Sequence, residues 1–399
     1  MPDGGLPVRE PGYGTLAIIT SAIFGFVVVV NVVNPLLLDL SAELGVTLGQ
    51  AGLLVAATGA PWALGAPFGG FLSDRVGRRP LMVLALGGMG LGSFASAFAQ
   101  DFTSLLLLRF ATGCFGAFGP SSTMAAVGDL FPDRRRGMAM SWFNLGFGLG
   151  GIAGVPAAGA IGGLLGWRAA FVATGLLLLG LAVLVRATFP ASGKSATSQS
   201  VRRTYGAVFG TPTLTYVLLA NLFERSIFQG AGVFLPSYLM LSYGLSPVEV
   251  AVPMALVAVG TISGNIAGGW LGDRLPRAAL FAACQCLAAA TGYVMLTATW
   301  GLVASTLLGL AFFLVNSSSR PAFLALSSEL SREHRGAVLG LLSLANQGGV
   351  VVGSALGGVV LGLGGFPLLA VGVATLGLGA AALAVPPAVQ ARGRMPAAP

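Results

Sequence analysis

Long apolar runs separated by short polar connections dominate the chain. A helix needs about 20 mostly apolar residues to cross a bilayer. Because the runs are uniformly apolar and do not alternate, helices rather than the strands of a closed barrel would satisfy the backbone. The pattern predicts an all-α membrane protein with twelve transmembrane helices, at residues 14–38, 48–72, 80–99, 102–127, 137–163, 167–189, 214–241, 249–271, 277–298, 301–327, 336–362 and 365–386.

One polar connection occurs twice. The sequence GFLSDRVGRR begins at Gly70, and GWLGDRLPRA begins at Gly269, half a chain later. The same spacing relates Arg136 to Arg335, each followed by glycine. Such a repeat predicts two similar six-helix bundles. We place them at residues 1–189 and 214–399, joined by a polar cytoplasmic linker at 190–213.

Composition and charge agree with a location in a membrane. The chain is 55% hydrophobic and 9% charged, too apolar for a soluble core of ordinary proportions. Its net charge of +8 comes from basic residues that nearly all fall in connections on one face, with Arg168 alone opposite. The positive-inside rule then predicts a multi-pass protein of the inner or plasma membrane with both termini cytoplasmic. These basic residues are expected to meet membrane lipid headgroups rather than nucleic acid.

The sequence offers little enzyme chemistry. Cys114, Cys284 and Cys286 all fall inside predicted spans, and residues two apart on a helix point to different faces. We therefore expect no disulfide and no metal site. A nucleophile with its base, or a phosphate-binding loop with its lysine, is also missing from the sequence. We predict that the protein is not an enzyme and needs no cofactor.

These motifs resemble the major facilitator superfamily, whose members have two six-helix bundles and a signature between spans two and three. The first copy of the repeat matches the signature, whereas the second has Pro276 where glycine is usual and Ala278 in place of a base. Arg109 and Gly113 are similar to the span-four arginine motif of the family. The resemblance implies a monomer with a breakable cytoplasmic gate, formed by Gly70, Asp74, Arg75, Gly77, Arg78, Arg79, Gly269, Asp273, Arg274 and Arg277.

Four ionisable residues lie inside predicted spans: Arg109, Glu224, Arg225 and Arg320. Each would cost about 2.5 to 3.5 kcal/mol at the bilayer centre, so each should face a partner or a wet cavity. We expect Glu224 to pair with Arg320. Arg225 projects about 100° away from Glu224 on the helix and is expected to face substrate or Asn221. Two alternatives stay open: Arg109 could serve helix packing through carbonyl bonds, and Arg320 could extend to the headgroups.

These positions suggest a substrate site and a proton site. Glu224 could carry a coupling proton, or it could form a permanent ion pair. We expect substrate contacts from the polar and basic side chains within the spans, namely Asn31, Asn34, Arg109, Asn144, Asn221, Arg225, Gln229, Asn316 and Arg320.

The leading hypothesis is a secondary transporter that moves a small molecule by alternating access, as proton-coupled efflux of an apolar or amphipathic compound. The stretch GVPAAGAIGG around Pro156 loosely resembles a signature of drug and sugar exporters. The alternative is an importer or exchanger of a small organic anion, since three arginines oppose one glutamate within the spans. The expected partners are the small-molecule substrate, protons and membrane lipid.

Overall fold

The computed structural model describes residues 12–190, 212–329 and 335–384, which form helices joined by short turns. Those of the first half are α1 (Tyr13–Asn31), α2 (Leu37–Glu43), α3 (Leu48–Val76), α4 (Arg78–Ser96), α5 (Phe102–Gly116), α6 (Gly119–Leu130), α7 (Asp133–Leu149), α8 (Val155–Leu165) and α9 (Trp167–Thr188). The second half contains α10 (Pro212–Tyr243), α11 (Ala251–Gly272), α12 (Arg277–Thr297), α13 (Leu302–Glu329) and α14 (Arg335–Leu383). The predicted linker falls largely on 191–211, outside the described residues, and stays a prediction.

Local sequence signals account for several helix ends. Thr47 accepts a hydrogen bond from the backbone of Gln50, whose side chain accepts from the backbone of Thr47, so a capping box starts α3. Gly77 and Gly166 separate α3 from α4 and α8 from α9, with φ of 102° and 85°. Only glycine adopts such angles without strain, so these two turns depend on the absence of a side chain.

Three predicted spans are interrupted rather than continuous. A short 3₁₀ turn containing Pro35 separates α1 from α2, and α6 begins with Pro120 one position inside its start. A π-helical segment, Gly150–Gly154, precedes Pro156 in α8. Proline has no backbone N–H and clashes with the preceding helical turn, which explains why each irregularity lies beside one.

The helices are confirmed, while the number of membrane crossings is not. Among the described residues, 8 helices are long and apolar enough to cross a membrane, and the last of them covers Leu341–Leu383. That helix is divided by non-helical backbone at Gly364 and Gly365, the same point at which the apolar pattern separates runs eleven and twelve. Twelve crossings therefore stay a prediction.

Each half packs mainly against itself. In the first half α4 lies against α9 and α1 against α7; in the second half α10 lies against α14 and α11 against α13. The main contact between the halves joins α3 to α14.

Glycines allow the halves to meet almost backbone to backbone. A methyl group at Gly49 would overlap the carbonyl oxygen of Gly358, and one at Gly358 would overlap that of Gly49. Further along α3, a methyl at Gly59 would lie 3.2 Å from Val351 Cγ2. We call this contact, from Gly49 to Gly59 on α3 and from Val350 to Gly358 on α14, the glycine seam. It joins the two halves at the end where α3 begins.

We expect Gly358→Ala to separate α3 from α14 and to favour conformations open at this end. Forcing a methyl group into such a contact costs about 1 to 3 kcal/mol. Spin labels at Ala42 and Leu363, both exposed, in a background whose three cysteines are replaced by serine, would report the change as a longer or broader distance distribution.

The matched control for this experiment is Gly362→Ala, one turn further along α14, where a methyl group meets nothing within 4 Å. An unchanged distribution in the Gly358 variant would show that the seam does not hold this end closed.

Candidate functional site

A buried carboxylate lies at the centre of the second half. The Glu224 side chain is only 1% exposed, and both of its oxygens accept hydrogen bonds from Arg225, with Arg225 Nε at 2.6 Å from Oε2. Arg320, on α13, donates from Nη1 to the same Oε2 at 3.2 Å. One negative charge is therefore shared between two guanidinium groups.

Amide side chains hold Arg320 in place. Its Nη1 donates to Asn221 Oδ1 at 3.0 Å, and its Nη2 donates to Asn346 Oδ1 at 2.8 Å. Asn221 in turn donates to the carbonyl oxygen of Leu342 at 2.9 Å. These bonds connect α10, α13 and α14. We call the set of Asn221, Glu224, Arg225, Arg320 and Asn346 the Glu224 network.

The network is accessible through its arginines and not through its carboxylate. The side chains of Arg225 and Arg320 are 13% and 21% exposed. Arg225 also lies over the ring of Phe228, 4.4 Å from its centroid, and that ring packs edge to face against Phe313. Two positive charges therefore oppose one negative charge, and the positive groups are more exposed than the carboxylate.

The structure confirms one predicted pairing and corrects another. Glu224 and Arg320 are in contact, as expected. The expectation that Arg225 and Glu224 do not pair with each other is wrong, because the long arginine side chain folds back over the 100° between neighbours. A contact of Arg225 with substrate stays a prediction. The alternative that Arg320 extends to the headgroups is also wrong, since three side-chain acceptors hold its guanidinium.

Arg109 lies apart from the network, in the first half. It is fully buried on α5, where Nη2 donates to the carbonyl oxygen of Val29 at 2.8 Å and the guanidinium lies 5.6 Å from the ring centre of Phe171. Its Nε and Nη1 make no hydrogen bond to the described residues. These contacts match the alternative of packing through carbonyl bonds, while a role in substrate binding stays a prediction.

The other predicted contacts occupy separate places. Asn31 donates to the carbonyl of Val27 in its own helix, and Asn34 donates to Asn31. Asn34 also lines an apolar cavity of about 40 Å³ beside Pro35 and Pro247, between the two halves.

Three further predicted contacts lie elsewhere along the spans. Asn144 is exposed on α7, whereas Gln229 and Asn316 are buried. Neither amide atom of Asn316 has a hydrogen-bond partner among the described residues.

Sequence reasoning missed Asn346. It lies beside Gln347 in an otherwise apolar and glycine-rich run of α14, and Asn346 donates to Gln347 Oε1 at 3.4 Å. A polar pair in such a run was a usable signal, because an amide among apolar neighbours is expected to find a hydrogen-bond partner.

The repeated connection forms contacts within each half. Arg78 is buried and its Nε lies 2.7 Å from Asp129 Oδ2, which ties α4 to α6, while its Nη1 donates to Ser73 at 2.9 Å. Arg79 donates to the carbonyl of Arg186 at the end of α9.

In the second copy, Arg274 stacks on Trp270, 3.7 Å from the ring centre, and Asp273 is exposed. Gly70 and Asp74 lie in α3, and the surroundings of these two residues are outside what the structure describes. For all ten residues of the predicted gate, including Gly77, Arg75, Gly269 and Arg277, a role in gating stays a prediction.

The comparisons with known proteins agree with a transporter fold. The model of the Major Facilitator Superfamily matches residues 18–321. A bacterial homologue of the human lysosomal transporter Spinster, solved in an inward-facing and occupied conformation, superposes with a TM-score of 0.76 at 20% identity, covering 97% of this chain and 96% of that one. The chain therefore belongs to the major facilitator superfamily, and it is a multi-pass membrane transporter of small molecules, not an enzyme.

Curated relatives differ in what their names say they carry. The inner membrane transport protein YdhP of Escherichia coli is 28% identical, over 84% of this chain and 86% of that protein. The 4-hydroxybenzoate transporter PcaK of Pseudomonas aeruginosa is 28% identical, over 82% and 81%. A chloramphenicol resistance protein of Streptomyces lividans is 27% identical, over 61% and 62%.

We expect Asn221→Ala to destabilise the protein by about 1 to 3 kcal/mol, because it removes a bond to Arg320 and the additional side-chain bond to the Leu342 carbonyl. Thermal unfolding in detergent would measure the loss as a lower Tm. Asn265→Ala is the matched control, since that exposed amide bonds only to a carbonyl of its own helix. Equal Tm values for the two variants would contradict a structural role for Asn221.

Proposed function

We propose that the chain is a secondary active transporter that carries a small organic anion across the plasma membrane by alternating access, coupled to protons through Glu224. The observation that supports this most directly is the charge of the Glu224 network. Two arginines face one carboxylate, and only the arginines are accessible. A planar guanidinium edge recognises carboxylate, sulfonate or phosphate through two parallel hydrogen bonds.

The relatives support an anion as a substrate class. One relative that aligns over most of this chain is named a 4-hydroxybenzoate transporter. Phe228, which lies under Arg225, would offer an aromatic ring of a bound substrate an apolar neighbour.

The glycine seam supports alternating access, because it closes one end of the contact between the halves. By the positive-inside rule the end where α3 begins is extracytoplasmic, so both termini and the repeated connection face the cytoplasm. We infer that the described conformation is closed to the outside and that the ten residues of the repeated connection act at the opposite end. Breaking and remaking such contacts is how two rocking halves expose a central site alternately.

Efflux of an amphipathic compound is the second candidate. It is favoured by the edge-to-face pair of Phe228 and Phe313 beside the network, and by the relative named for chloramphenicol resistance. A proton leaving Glu224 toward the cytoplasm would drive such export. Drug resistance in cells without saturable anion flux in proteoliposomes would favour this candidate.

The deciding experiment is flux of labelled 4-hydroxybenzoate, and of a panel of other organic anions, in proteoliposomes with an inward proton gradient. We expect saturable uptake that Arg225→Gln reduces about tenfold or more, because the substrate loses about 1.4 kcal/mol or more of ionic hydrogen bonding. Arg186→Gln, an exposed arginine in the last turn of α9, is the control. Absence of flux for every anion would overturn the proposed substrate class.

The assignment of Glu224 is tested separately. Glu224→Gln should abolish proton-driven accumulation while leaving exchange between internal and external substrate, since the amide cannot carry the proton. Glu249→Gln is the control, because that carboxylate caps a turn by accepting from Ser246 at 2.8 Å and lies far along the chain from the network. Proton-driven accumulation that survives in the Glu224 variant would reject the assignment.

A further inference from the structure

We propose that the cavity between the two halves beside Asn34 is a hydration site. A water molecule bound there would donate one hydrogen bond to Asn34 Oδ1 and one to the backbone carbonyl of Gly232, and would so connect the first half to the second. The cavity shares no lining residue with the Glu224 network, so this site is separate from the proposed substrate site.

The first partner is a buried acceptor. Asn34 is 7% exposed and lines the cavity, and its Oδ1 has no hydrogen-bond partner among the described residues. Its Nδ2 already donates to Asn31 Oδ1 at 3.2 Å, which leaves Oδ1 as the free end of the amide. A buried amide oxygen without a donor is costly, so a donor is expected at this place.

The second partner is a carbonyl that a proline deprives of its usual donor. Within α10 the carbonyl of Gly232 would normally accept from the N–H four residues later, but that residue is Pro236, which has no N–H. Gly232 and Pro236 both line the cavity, and a glycine contributes only backbone to a cavity wall. One acceptor from each half therefore borders the same space.

The volume of the cavity selects the ligand. At about 40 Å³ the cavity exceeds the roughly 10 to 15 Å³ that a water molecule needs, whereas a cavity that binds benzene has about 150 Å³. Most of the remaining wall is apolar, with Pro35, Pro247 and Met254 among its members. Water has two donors and little bulk, so it fits both the space and the pair of acceptors, whereas an aromatic anion does not.

The bridge would belong to the conformation in which the halves meet at this end. Asn34 lies in the 3₁₀ turn after α1, and Gly232 lies on α10. Movement of the halves apart would separate the two acceptors, and one water molecule could then no longer bond to both. The hydration site would therefore favour the closed arrangement through a polar contact, in addition to the backbone contact of the glycine seam.

The test is radiolytic labelling of the purified full chain in lipid nanodiscs. An X-ray pulse splits bound water into hydroxyl radicals, which oxidise a neighbouring methionine to its sulfoxide. We expect Met254, which lines the cavity, to gain at least about threefold more sulfoxide than Met295, a fully buried methionine that does not line it. Asn34→Ala should lower the labelling of Met254 by about threefold or more, because one of the two polar partners of the water is lost.

The alanine variant distinguishes a polar site from mere space, since it enlarges the cavity while it removes the acceptor. Opening of this end would raise the labelling of Met254 and so cannot imitate the expected loss. Asn34→Leu, which is close to the wild type in volume, should show the same loss and serves if the alanine variant does not fold.

Asn265→Ala removes an exposed amide on the same helix as Met254 and is the matched control, which should leave the labelling unchanged. The proposal is overturned if Met254 of the wild type is labelled no more than Met295. It is also overturned if neither variant of Asn34 lowers the labelling of Met254.

Discussion

An ionised carboxylate in the apolar part of a membrane protein is stable only beside compensating positive charge, and this requirement organises the second half of the molecule. Glu224 is almost wholly buried and two arginines reach it from different helices. Desolvation of such ions costs several kcal/mol each, which direct ionic hydrogen bonds must offset. Because Asn221 and Asn346 then fix Arg320, one buried charge sets the relative positions of α10, α13 and α14.

The same requirement links stability to transport. The two arginines stabilise the negative charge of Glu224. A transport site also needs a charged partner that the substrate can displace. In the Glu224 network the arginines outnumber the carboxylate and remain reachable, so a substrate anion could take over part of the compensation. Arg109 shows the contrast, since it is fully buried against a carbonyl and an aromatic ring and has no acidic partner among its described contacts.

Much of the fold was predictable because apolar runs of membrane length have few alternatives to the helix. Some helix ends were also predicted closely. For example, α9 covers Trp167–Thr188, and the predicted span was 167–189. The site was harder to predict. The positions of two residues on a helix fix the direction in which each side chain leaves the backbone, but a long side chain can bend away from that direction. Arg225 therefore folded back onto Glu224 against expectation, and Asn346 escaped notice because its partner lies on another helix.

The glycine seam has a kinetic consequence. At Gly49 and Gly358, where the two helices touch through their backbones, few side chains must be ordered when the contact forms or released when it breaks. Little side-chain rotamer entropy is therefore lost when this end of the molecule closes. The two halves can meet in a single register without repacking of side chains. A contact that forms and breaks with so little reordering of side chains is expected to add little to the barrier for opening this end.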